Sequence, residues 1–321
     1  MSQSFEAPSA NRTIEPMEGR GGGPLDLQAL LPYPPANANK YSRGKAVVCS
    51  GSAPYPGAAV LAAKATQLVG VGYTEAFTDQ SNVRILQNAR ASLVVRPFSA
   101  LRTRSVLSDD HPGAALAGSG MDPEDTVAQA LVDKLLNRIE KPLVLDGGAL
   151  SYAAGKKTHA RMMDRGRRKL VTVVTPHRGE AARLGKPFGL SMSDDQERDA
   201  RVLSTAYGSI VVLKGPNTVI ADHGRTHVVT SGTPALAKAG SGDVLAGMVT
   251  GLLAQGVDPF GACVLAVELH ASAGLIASHR LGIISVCAED VLDAIPAAIK
   301  ALSNGKDARA LKVMAREGEW A

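Results

Sequence analysis

Aromatic side chains are scarce: Phe, Trp and Tyr make up 4% of the 321 residues. A core for a chain this long must therefore be filled by Val, Leu, Ile and Ala. No nucleic-acid partner is expected, because no aromatic residues are interleaved with the basic runs. Cysteine is scarce too. Cys49, Cys263 and Cys287 are odd in number, widely spaced and each in an apolar context. No disulfide framework or zinc spacing is present, and all three are expected as buried small hydrophobes in a reducing compartment. Apolar runs are short and broken by Gly or charge, so no window is expected to approach a membrane span. Glu6 and Glu15 interrupt the start of the chain, so no signal peptide, no membrane partner and a cytoplasmic location are expected. No internal repeat is visible. The fingerprint G-x-G-x-x-G is absent, and so is G-x-x-x-x-G-K-[ST], which excludes the common dinucleotide loop and the P-loop.

What is present suits a globular α/β chain: 45% hydrophobic and 20% charged residues. The net charge of +5 suits anionic substrates without requiring nucleic acid. The basic runs Lys156–Lys157 and Arg161–Lys169 read as a solvated helix face. Residues 1–40, rich in Gly, Pro and Asn, read as a poorly ordered arm with a short helix at Leu25–Leu31. Residues 41–302 form one domain, and residues 303–321 a loosely held charged tail. Within the domain, strands are expected at Lys45–Cys49, Tyr73–Phe77, Ser92–Val95, Ala114–Ala117, Leu143–Leu145, Val171–Val174 and Ile210–Leu213. Helices are expected at Gly57–Gly70, Thr126–Ile139, Asp194–Tyr207, Asp243–Gln255, Pro259–Ser278 and Ala288–Leu302. That alternation predicts a mostly parallel sheet covered on both faces. Thr218–Asp222 and Arg225–Thr230 flank His223-Gly224 as an antiparallel hairpin.

The segment Ala239-Gly240-Ser241-Gly242-Asp243 runs into an apolar helical pattern. Two glycines around one small residue let backbone N–H groups turn toward an anion, and a helix N-terminus favours negative charge. Asp243 there fits two roles: a base that deprotonates a hydroxyl being phosphorylated, or a helix cap. Ligands of open α/β sheets bind beyond the carboxyl ends of the strands. Lys214 follows one such strand and can hold a phosphate, with Gly215 offering backbone and Thr218 a hydroxyl. Thr175 and Pro176 read as N-cap and first helical residue, which puts His177 at the same edge, as a structural or a functional histidine. Glu180 is read as a cap in preference to a metal ligand. Asp146 fits a magnesium shell, a substrate hydroxyl or a loop cap.

The segments CSGSAPYPGAAVLAA (49–63), VLDGGAL (144–150), VTPHRGEAARL (174–184), VVLKGPNTVIA (211–221) and GTPALAKAGSGDVLAGMVTGLLAQG (232–256) resemble the NAD(P)H-hydrate dehydratases of the ribokinase-like superfamily. The resemblance spans roughly residues 40–300. It implies a ribokinase-like three-layer α/β/α sandwich. It also implies dehydration of (6S)-NADH or NADPH hydrate at the expense of ADP, less readily ATP, with Mg²⁺. Asp243 would be the catalytic base. Lys214, Gly215, Pro216, Asn217 and Thr218, with Gly240, Ser241 and Gly242, would bind the nucleotide and its phosphates. Ala58, Gly120, His177 and Asp243 would line the hydrate site; no metal ligand is assigned. Family analogy suggests a homotetramer, with the epimerase a separate protein. The sequence departs from the family where Asp-Ala-Asp-Ala-Leu is Asp146-Gly147-Gly148-Ala149-Leu150, and where Gly-Pro-Gly-Leu-Gly is Gly118-Ser119-Gly120-Met121-Asp122. Arg178 stands for a Pro, and His270-Ala271-Ser272-Ala273-Gly274-Leu275 for His-Gly-x-Ala-Gly-Asp. A ribokinase-like vitamin or small-alcohol kinase shares Asp243 and the glycines, and a catalytically silent nucleotide binder is the other alternative.

Overall fold

Short Val-, Ala- and Leu-rich runs pair into one sheet because each has apolar residues on both of its faces, so neither face can meet water. The computed structural model describes residues 25–103, 105–107 and 110–317. Its nine strands are β1 (Lys45–Cys49), β2 (Tyr73–Thr78), β3 (Val94–Pro97), β4 (Gly113–Ala117), β5 (Leu143–Leu145), β6 (Thr172–Val174), β7 (Ile210–Leu213), β8 (Thr218–Asp222) and β9 (Arg225–Val229). They lie in the order β3-β2-β1-β4-β5-β6-β7-β8-β9. The first seven are mutually parallel, and β8 and β9 close one edge antiparallel. Thr218 faces Val229 and Asp222 faces Arg225 across the hairpin, with His223 at a positive φ of 44° in its turn.

Eleven helices cover the two faces among the described residues: α1 (Pro56–Leu68), α2 (Val83–Ala89), α3 (Thr126–Arg138), α4 (Gly148–Ala153), α5 (Lys156–Arg167), α6 (Arg178–Gly185), α7 (Gln196–Tyr207), α8 (Ser241–Ala254), α9 (Pro259–Leu281), α10 (Ala288–Ser303) and α11 (Ala308–Glu317). Alternate strand residues serve opposite faces. Val48, Leu116, Val144 and Val212 pack in one core with α1, α2 and α8–α11. Val47, Ala115, Leu145 and Val211 pack in the other with α3–α7. The three-layer α/β/α expectation is met.

Several sequence expectations change. Leu25–Leu31 forms turns, not a helix, although Leu31 is buried in the core; residues 1–24 lie outside the described residues. The basic run is helix α5, yet Arg165 is buried. Its guanidinium donates to the carbonyls of Ile139, Lys141 and Val171 and to the Thr172 hydroxyl. Burial, followed by the nearby Arg168 charge, pulls Arg165 down to about 10. Cys49 and Cys263 are buried as expected, but Cys287 is exposed at the start of α10. Residues 308–317, read as tail, form α11, with Ala308 and Leu311 buried. Helix α9 is long and apolar enough to cross a membrane, contrary to expectation; 89% of its apolar window is buried within the fold, so it is a core helix here.

Candidate active site

Each candidate residue sits where a strand ends or a helix begins. Ser119 follows β4, Asp146 follows β5, Thr175 to His177 follow β6, and Lys214 follows β7. At the head of α8, Gly240 is the N-cap at φ 92°, Ser241 to Asp243 the first turn. A Cβ on Gly240 would lie 2.7 Å from Leu61 Cδ1 and 2.9 Å from Ala288 Cβ. Only glycine therefore fits both this left-handed turn and this space. The N–H groups of Gly242 and Asp243 have no intrahelical carbonyl to reach, as for any first turn. Ser241 N–H instead donates to Lys238 O at 3.3 Å.

The charges converge beneath that turn. Lys214 Nζ lies 3.0 Å from Asp146 Oδ1 and 3.9 Å from Glu180 Oε2. Asp146 is buried and accepts from Thr175 Oγ1 at 2.6 Å and from Ser119 Oγ at 3.0 Å. It is thus neither a loop cap nor an open metal ligand; it anchors the lysine. Burial works against the Lys214 ammonium, but the Asp146, Glu180 and Asp243 carboxylates outweigh it and hold its pKa above the usual value. Asp243 goes the other way. Burial, then the Asp146 charge, pushes its carboxyl up to about 7, against the pull of Lys214 and the Ser119 hydroxyl. A carboxylate near 7 is poised for general-base work.

A cleft of about 780 Å³ opens beside this cluster. His177, Lys214, Gly215, Pro216, Asn217, Thr218, Ser241 and Gly242 line it, which brings the sequence candidates for phosphate binding together. Ala58 and Gly120 are outside its lining and stand against each other: a Cβ on Gly120 would be 2.5 Å from Ala58 Cβ. Asp243 is also outside the lining, one residue beyond Gly242 and in reach of the hydroxyl of Ser119, the neighbour of Gly120. The base candidate therefore adjoins the cleft lining at Gly242 and meets Ser119, which precedes Gly120.

His177, not Thr175, is the N-cap of α6. Its Nδ1 accepts from Gly179 N at 3.0 Å, and Glu180 Oε2 accepts from His177 N at 2.8 Å. Glu180 caps, as its reading favoured. His270 was noted only as part of a departure, yet it is buried on α9 with Nε2 3.1 Å from Ser241 Oγ. Burial lowers it to about 4, so it meets Ser241 as a neutral ring. Its signal in the sequence is weak, because a histidine within an apolar helix is usually a core residue.

Two departures have steric reasons. A Cβ on Gly148 would lie 2.2 Å from Met121 O, so the loop after β4 fills the space a second acid would need. Asp122 takes a negative φ, which removes the need for glycine there, and its N–H donates to Ser52 Oγ at 3.1 Å.

Comparison with known proteins places this arrangement. Residues 46–297 match the family model described as NAD(P)H-hydrate dehydratase. A bifunctional NAD(P)H-hydrate repair enzyme of Salinibacter ruber is 34% identical over 285 residues, 84% of this chain and 51% of that protein. The chain thus spans about half the length of the bifunctional relatives it matches. An ADP-dependent (S)-NAD(P)H-hydrate dehydratase of Xanthomonas campestris is 31% identical, covering 85% of this chain and 94% of its own. The crystal structure of an ADP/ATP-dependent NAD(P)H-hydrate dehydratase from Bacillus subtilis, co-crystallised with ATP and Mg²⁺, superposes with a TM-score of 0.73. It is 27% identical and covers 85% of this chain and 95% of its own.

Proposed function

Because this chain belongs to the NAD(P)H-hydrate dehydratase family, we propose that it converts hydrated NADH or NADPH back to the reduced coenzyme, using ADP, or less readily ATP, as phosphoryl donor. The observation that carries the reading is Asp243, a half-buried carboxyl raised to about 7 at the first turn of a helix. Hydroxide is a poor leaving group, since water has a pKa of about 15.7. A phosphate leaves far more readily, its second pKa being about 6. Asp243 takes the proton of the ring hydroxyl, whose oxygen attacks the terminal phosphorus of the nucleotide. The bond to the departing AMP, or ADP from ATP, breaks. The ring-nitrogen pair then expels phosphate, and loss of a proton from the adjacent ring carbon restores the double bond. Lys214 and the N-terminus of α8 would oppose the charge that builds on the transferring group.

Glu180 and Asp243 carry hard oxygen donors of the kind magnesium takes. Among the described residues no group of three or more His, Cys, Asp or Glu could hold a metal. The ion would therefore enter with the nucleotide, Asp243 and Glu180 would be the residues that hold it, and it would supply neutralisation of phosphate charge.

The test mixes purified protein and Mg²⁺ with enzymatically hydrated NADH and ADP, ATP or no nucleotide, and follows absorbance in the reduced-nicotinamide band. Recovery that needs a nucleotide is expected. Asp243→Asn should lose about 10²- to 10⁴-fold in rate while still binding nucleotide. Flat traces with both nucleotides would overturn the proposal.

A further inference from the structure

The nucleotide cleft has a wall from outside the family-matched region. Residues 46–297 carry the family match, whereas α11 spans Ala308–Glu317. The helix is docked. Ala308 and Leu311 are buried in the core shared with α9, and Asp307 Oδ1 caps its first turn by accepting from Ala310 N at 2.8 Å. One residue after Leu311, Lys312 turns to the cleft and joins its lining. Its Nζ donates to Thr230 O at 3.1 Å and to Gly232 O at 3.3 Å. Both carbonyls belong to the segment between β9 and the head of α8, and Thr230 and Gly232 also line the cleft.

The cleft has two unlike kinds of lining. Lys214, Ser241 and Gly242 are one kind of lining; Val229, Leu236 and Val267 are the other. Phosphates suit the first, with its cation and helix N-terminus. A purine and its ribose suit the second, which is apolar with a few polar groups. Lys312 lies with the second, its Nζ bonding Thr230 O next to Val229. An ammonium has three N–H donors. Two hold the 230–232 backbone in place, and the third can serve a ribose hydroxyl or a purine nitrogen.

We infer that α11 completes the nucleoside lining of the cleft and that Lys312 sets the affinity for a purine nucleoside di- or triphosphate by fixing the 230–232 segment and contacting the nucleoside. This deepens the proposed function and rests on it. It makes the charged segment near the chain's C-terminus part of the binding machinery.

The experiment is calorimetric titration of the full chain with Mg-ADP and with Mg-ATP, for the unchanged protein, Lys312→Met, Lys312→Arg and Val313→Ala. Val313 is 46% exposed on the same helix and outside the cleft lining, so it controls for an effect of α11 that does not depend on Lys312. Lys312→Met should weaken both nucleotides about tenfold, the loss of one charge-assisted hydrogen bond. Lys312→Arg should recover most of that, and Val313→Ala should bind as the unchanged protein does. The loss should fall on the KM for nucleotide more than on kcat. Affinity of Lys312→Met within twofold of the unchanged chain would overturn the inference and leave the proposed function standing. So would an equal loss in Val313→Ala, which would make the effect one of α11 and not of Lys312. If the unchanged protein binds neither nucleotide, the inference and the proposed function both fall.

Discussion

Asp243 and Lys214 illustrate how one pocket drives two ionisable groups in opposite useful directions. The lysine stays charged because three carboxylates surround it, and Asp243 is held back from ionising because burial and Asp146 oppose its charge. Asp146 therefore governs both. Its folded-state role gives a signed prediction. The base form of Asp243 accumulates as pH rises through about 7, so kcat/KM should rise with pH across that value. In Asp146→Asn the repelling charge is gone and Lys214 is less neutralised, and both changes favour the Asp243 anion. The acid limb of the pH profile should move down by about one unit. The same variant leaves Lys214 without its 3.0 Å partner, and urea denaturation should show a loss on the order of 3 kcal/mol. An unmoved acid limb would mean that Asp243 is not the titrating base.

Most of this cluster was legible residue by residue. The Gly-Ser-Gly-Asp turn, Lys214 after a strand and His177 near a strand end are local patterns. Their pairing was not legible. Asp146 and Lys214 are 68 positions apart, and no spacing rule joins residues brought together by parallel strands two places apart in the sheet. Thr175 looked like the cap of α6 because Thr-Pro is a common helix start; the carbonyl of Pro176 instead accepts from Lys214 N at 2.8 Å, which keeps that peptide in strand geometry and passes the cap to His177.

Among the elements, α8 carries the site and α1 carries α8. The two helices approach so closely that a Cβ on Gly247 would lie 2.3 Å from Ala62 O and 2.8 Å from Ala65 Cβ. Two effects compete at this position. Alanine is the better helix former by about 1 kcal/mol. A methyl jammed against a backbone oxygen forces the helices apart, which costs about 1–3 kcal/mol or more. The clash should win. Gly247→Ala is expected to lower the urea midpoint by the equivalent of about 1–2 kcal/mol and to reduce turnover, since α8 pivots with its N-terminus in the site. A variant more stable than the unchanged chain would show that the contact relaxes freely. The strand positions followed from short runs of three to six residues, because a fully buried strand and its bounding turns leave a local trace. Helices α2 and α4 left little: seven and six residues are too short for a periodic stripe to stand out.

Across the whole molecule, α11 docks on the core through Ala308 and Leu311, and Glu268 of α9 works against that docking. Its Oε2 is buried without a hydrogen-bond partner, and burial, followed by the charge of Asp307 at the start of α11, raises the carboxyl from 4.5 to about 7. A carboxyl raised by folding is accommodated while neutral. The stability it leaves intact is complete below about 4.5 and is lost as pH rises through about 7. Glu268→Gln should flatten that part of the stability-pH curve and raise the midpoint of thermal unfolding at pH 8, by the equivalent of about 1–3 kcal/mol for one unsatisfied buried group. Scanning calorimetry at pH 5 and pH 8 checks it; an unchanged slope would mean that water reaches the carboxylate.

By itself the sequence determined the strands, their α/β alternation, the closing hairpin and the glycine turn before Asp243. Each depends on residues within a few positions of one another, where side-chain period and backbone preference act directly. The tertiary structure decided that Asp146 anchors Lys214, that His270 meets Ser241, that Arg165 is buried against three carbonyls, and that Lys312 reaches the cleft. Those outcomes depend on burial and on the approach of distant segments. The same lysine or arginine is a solvated charge or a buried tie according to which backbone happens to face it, and that is fixed only when the layers pack.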